Sequence, residues 1–176
     1  FVVLCPHSDL AMRAASTARR HGLEPIVYDF GAQDRHLRWN VTRPDPGVRP
    51  DEWARRFSEV IRGQLWEEMP SSYFGPVMTR ALPIIVEVLA ADPAGPWPLT
   101  RVTDLLDRND AGFRDGALKR IGDKALARAL NVEVMPMIMQ SDPGNASIWL
   151  ISKLDPLIGD PTVRRIIETG RSEVTM

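Results

Sequence analysis

Four residues near the start of the chain have side chains suited to chemistry: Pro6, His7, Ser8 and Asp9. An imidazole, a hydroxyl and a carboxylate follow one another where the apolar run Phe1–Cys5 ends and a helix is predicted to begin. Free backbone amides and the dipole at a helix start attract anions, so this turn is the candidate nucleotide-proximal site. Asp9 works against a phosphate there unless a metal or a proton intervenes, and its carboxylate also suits a plain helix cap. Cys5 and His7, two apart, could share a face as a nucleophile and base, but a cysteine inside a strand reads first as a small buried hydrophobe.

Other chemistry finds less support. Neither G-x-x-x-x-G-K-[ST] nor G-x-G-x-x-G occurs in the sequence, so it lacks a lysine and glycine amides arranged to cradle phosphates. His7, His21 and His36 are scattered, and no Cys/His spacing resembles a zinc site. We expect no metal site and no catalytic residue in this chain. The basic pairs Arg55-Arg56, Lys119-Arg120 and Arg164-Arg165 are candidate partner or DNA contacts. Each has acids nearby (Glu52, Glu59, Asp115, Glu168), as on a solvated helix face. A net charge of −1 predicts weak, salt-dependent binding to DNA at best. The tryptophans at 39, 53, 66, 97 and 149 read as packing anchors before base-stacking platforms.

The elements that position these residues follow from periodicity. Residues 1–30 read as strand, helix and strand: Phe1–Cys5, Leu10–His21 stopped by Gly22, then Ile26–Phe30. Such an order makes a right-handed βαβ unit. Residues 31–49 read as a surface connection, rich in Arg, Asp, Pro and Gly. From Pro50 the pattern becomes helical. Trp53, Phe57, Val60, Ile61 and Leu65 form one stripe, and Met78, Leu82, Ile85, Val86 and Leu89 form another after Ser71-Ser72, with Pro83 bending that helix early. Thr100 should cap a short helix to Leu106. Helices are further predicted over 113–121, 124–139 with a break at Pro136, 145–157 and 161–169. The expected fold is mostly α: a helical bundle over 50–176 attached to a small βαβ unit over 1–30. A strand at residue 1 suggests a piece of a larger α/β protein. One cysteine excludes an internal disulfide and fits a reducing compartment, and the longest apolar run, Ala81–Ala91, is far short of a bilayer span.

Several stretches in order resemble the hexameric DNA-pumping ATPases of the HerA/FtsK superfamily, in particular the TraG/TraD-like coupling proteins of conjugation and type IV secretion. Cys5-Pro6-His7-Ser8-Asp9-Leu10 is similar to the family's apolar strand ending in Asp-Pro-(His/Lys)-Gly-(Asp/Glu)-Leu, with Cys5 in place of the acid and Ser8 in place of the glycine. Trp39-Asn40, Phe74-Gly75-Pro76, Ser152-Lys153-Leu154, Asp160-Pro161 and Arg164 match later stretches in order. The resemblance implies a P-loop NTPase edge of a RecA-like core (1–30) and an inserted helical domain (50–176) that recognises secretion substrates or DNA-processing proteins. It also implies a cytoplasmic hexameric parent, tethered to the inner side of the cell membrane, that uses ATP and magnesium. This chain alone would be inactive. The competing expectation is an independent α/β protein that binds a nucleotide or anion at residues 6–9.

Overall fold

The computed structural model describes residues 8–25, 27, 38–65, 75–107, 109–140 and 145–169. They are mostly α-helical, and no strand occurs among them. Both predicted strands fall on residues outside this set, except Val27, which is not in a strand. The chain divides into two compact units, Phe1–Leu37 and Arg38–Met176.

The first unit contains α1 (Ser8–Arg20). Its helix starts earlier than Asp9, which therefore lies within the first turn instead of capping it. Arg19 and Arg20 close the helix, so both ends complement the dipole. Gly22 supplies the stop at φ 76°, a left-handed conformation that costs glycine little. Gly22 N–H donates to the Arg19 carbonyl and Leu23 N–H to that of Ala18, both at 3.0 Å, which is the Schellman arrangement. Ala15 is buried, while Leu10 and Met12 are exposed.

The second unit is built around α3 (Gly75–Ala90). Ala81, Leu82, Ile85, Val86, Val88, Leu89 and Ala90 are all buried, so this helix is covered on most sides. That fits a sequence too apolar to face water. It packs on α2 (Pro50–Leu65), α4 (Val102–Leu105) with the 3₁₀ turn Leu99–Arg101 before it, α5 (Gly112–Ile121) and a π-helical segment at Ala129–Val134. The π segment joins α6 (Lys124–Arg128) to α7 (Met135–Gln140). Then α8 (Asn145–Ile158) packs on α7, and α9 (Pro161–Ile167) packs on α8 and the 3₁₀ turn.

Four expectations change. On α2, Trp53, Ala54, Ser58 and Ile61 are buried, but Val60 is 60% exposed. The buried stripe steps through positions 54 and 58, and Val60 falls on the flank. Thr100 lies inside the 3₁₀ turn and caps nothing; the residue before that turn is Pro98. The helical run over 124–139 is not broken at Pro136. Its irregularity comes just upstream, where wider i→i+5 turns end at Val134, which accommodates a proline ring that would crowd an ordinary preceding turn. Finally, within 38–49, Asn40, Val41 and Thr42 are buried instead of forming a surface connection.

Buried polar groups explain that last change. Asn40 Nδ2 donates to the Pro96 carbonyl at 3.0 Å, and Thr42 Oγ1 bonds to the Trp97 carbonyl. Trp53 Nε1 donates to the Val41 carbonyl at 3.0 Å, and Trp39 N–H to the Ile166 carbonyl at 2.9 Å. A buried polar group must find a partner, so this short segment is stitched to α2, α9 and the loop after α3. Between α8 and α9, Gly159 is required by close approach: a Cβ there would sit 2.8 Å from the Asp155 carbonyl oxygen.

Candidate functional site

Of the predicted phosphate turn, Pro6 and His7 lie outside the described residues, as does the side chain of Ser8. Asp9 is exposed in the first turn of α1. A carboxylate at this end complements the helix dipole and repels a phosphate. The basic pairs sit on three different helices. On α2, Arg56 pairs with Glu52 one turn back, while Arg55 is exposed. On α5, Lys119 is exposed and Arg120 turns toward Asp92. On α9, Arg164 Nε meets Glu168 at 3.0 Å, and Arg165 is exposed. The exposed Glu52–Arg56 and Arg164–Glu168 pairs, each one helical turn apart, are individually worth about 0.3–0.5 kcal/mol. Among the described residues, no three His, Cys, Asp or Glu side chains converge to hold a metal ion. No helix among them is long and apolar enough to cross a membrane.

Two constellations stand out in the helical unit. The first is a polar–aromatic knot in the loop after α3. Asp92 has a fully buried side chain. Its Oδ2 accepts from Trp97 Nε1 and from Arg120 Nε, both at 2.8 Å, and its Oδ1 accepts from Ala94 N–H at 2.8 Å. Burial pushes this carboxyl up, but the three donors and the Arg120 charge outweigh it and hold the group below the usual carboxylate range. Around it, the Arg120 guanidinium lies 4.8 Å from the Trp97 ring centre. Arg101 lies 4.3 Å from that of Phe113, and the two rings meet edge to face at 5.0 Å. Arg101 is paired with Asp104 at 2.7 Å. Arg120 and Arg101 are each paired with a carboxylate, although Arg101 Nε is buried without a hydrogen-bond partner among the described residues, and these contacts fasten the loop.

The second is a cleft of about 120 Å³ between α2 and α3. Arg55, Ser58, Glu59 and Arg62 line it from α2; Thr79, Leu82 and Pro83 line it from α3. The α2 residues recur at i, i+3, i+4 and i+7, so one helix face supplies the whole wall. Across from it, Pro83 has no N–H to bond the Thr79 carbonyl, so the proline removes a helix bond between two cleft residues. Sequence reading singled out Arg55, named Glu59 only as a neutralising acid, and missed Arg62. Their spacing from Arg55 was the available signal. Arg55 and Arg56 are adjacent in sequence but about 100° apart around α2, so that dipeptide does not mark a shared face.

No family model, curated protein or solved structure matches this chain.

Proposed function

We propose that the chain is a non-catalytic part of a DNA- or protein-translocating ATPase of the conjugation or type IV secretion coupling type. In this reading residues 1–30 form the βαβ edge of a RecA-like core, and the helical unit recognises a secretion substrate or a DNA-processing protein. The α2–α3 cleft carries the reading. At about 120 Å³ it is well below the ~300–1,000 Å³ of small-molecule sites, and it suits a single side chain presented by a docking protein. The ordered motifs from Cys5-Pro6 to Arg164 add support.

ATP and magnesium would belong to the parent hexamer, in the cytoplasm. This chain's residues do not fit that pair: its sequence has no glycine-rich loop with a lysine, and Asp9 puts negative charge at the helix start. The purified chain is therefore expected to hydrolyse ATP no faster than a buffer blank in a phosphate-release assay. Robust turnover would overturn the reading. A thermal shift with ATP, ADP or Mg²⁺ that disappears in Asp9→Ala would replace it with an independent anion-binding protein using residues 6–9.

A further inference from the structure

The charges in the α2–α3 cleft favour one kind of occupant. Arg55 and Arg62 rise from the same face of α2, two turns and about 10 Å apart along the helix. Neither forms an ion pair with any described residue, whereas Arg56 on the same helix is held by Glu52 and Arg80 on α3 by Glu133. Glu59 lies between the two arginines, so the lining carries one net positive charge. On the α3 side the accessible wall is Thr79 and the half-buried Pro83, over Leu82, which is itself buried in the core.

We infer that this cleft captures an acidic side chain presented by a segment of a partner protein. The carboxylate meets Arg55 and Arg62, while the methylenes of the same side chain lie on Pro83. Charge-assisted contacts to guanidinium give the orientation, and apolar contact adds affinity. Glu59 remains available to accept a backbone N–H from the segment. A nucleic-acid strand fits less well. It needs a basic track along its phosphates, and here an acid interrupts a lining that holds a single side chain. This inference rests on reading the helical unit as a recognition surface, and it adds the chemistry of what is recognised.

Fluorescence anisotropy with the 176-residue chain tests it. The probes are a labelled dodecapeptide of alternating glutamate and alanine, its glutamine counterpart, and a single-stranded oligonucleotide of similar charge. The glutamate peptide should bind, and less tightly as salt rises. Arg55→Gln with Arg62→Gln should weaken it about tenfold or more, Arg55→Lys with Arg62→Lys should retain most of the affinity, and Lys119→Gln with Arg165→Gln should leave it unchanged. All four positions are exposed, so circular dichroism should match the parent chain. Absence of binding by the glutamate peptide overturns the inference, as does equal binding of the glutamine peptide. Tighter oligonucleotide binding with the same arginine dependence reassigns the cleft to nucleic acid. Peptide binding untouched by the Arg55/Arg62 changes overturns the cleft but not the recognition reading, which falls instead to ATP turnover by the chain.

Discussion

Asp92 is a fully buried carboxylate that gathers three hydrogen bonds. Its donors are Arg120, Trp97 and Ala94, so this carboxylate fastens the loop after α3 together with the Asn40 and Thr42 contacts to Pro96 and Trp97. Asp92→Ala strands three donors, two of them at the edge of the core. We expect it to cost about 2 kcal/mol in urea unfolding, less than breaking a fully buried pair, because Arg120 is 44% exposed and regains water. The pH dependence follows from the depressed carboxyl. Because its folded pKa lies below the unfolded value of about 3.9, its stabilisation is complete above that value and is lost as pH falls through the folded pKa. Unfolding measured from pH 6 down to pH 2 should show a loss below about pH 4, and Asp92→Asn should remove much of that slope. An unchanged slope in the variant would assign the acid sensitivity to other carboxylates. The turn at Asp92-Pro93-Ala94-Gly95 emerges only in the structure, where Asp92 accepts from the amide two residues on and Gly95 takes φ 127°, although Asp, Pro and Gly are ordinary turn residues. The partnership of Asp92 with Arg120 is not legible from sequence either, because that residue lies 28 positions away on another helix.

At the scale of elements, the helix starts separate aspartate caps from residues that merely look like caps. Asp123 accepts from Ala125 and Leu126 N–H, and Asp160 from Thr162 and Val163 N–H. Asp123→Ala and Asp160→Ala should each cost about 1 kcal/mol by chemical denaturation, whereas Thr100→Ala should stay within about 0.5 kcal/mol. A comparable loss at Thr100 would mean that its hydroxyl does cap the 3₁₀ turn. The periodic stripes of α2 and α3 were readable because apolar residues at three- and four-residue spacing have few other places to go. The misplacement of Val60 shows the resolution of that argument. Adjacent Val60 and Ile61 are about 100° apart around the helix, and only the position of α3 decides which one is buried. The π segment was not readable at all, since it adds one residue to a turn without changing the kind of residue present.

At the scale of the molecule, the unit boundary lies between Leu37 and Arg38. Residues 38–42 are fastened to Pro96, Trp97, Trp53 and Ile166, so they belong energetically with the helices. A protein starting at Arg38 should therefore fold with one cooperative thermal transition. One starting at Pro50 should be less stable, because Trp53 Nε1 and the Pro96 carbonyl lose their partners. Equal melting temperatures for the two would show that the 38–49 segment contributes nothing to the core.

Taken alone, the amino-acid order determined that the chain is mostly helical, where its main amphipathic helices run, and that Gly22 ends the first of them. Those outcomes depend on local geometry and on the period of apolar residues, both contained within a few turns of chain. Tertiary structure alone decided that Asn40 and Thr42 are interior, that Arg120 serves a buried carboxylate, and that Arg55 and Arg62 share a cleft with Leu82 and Pro83. Burial and charge pairing join residues far apart in sequence, and which ones meet is set by how whole helices pack.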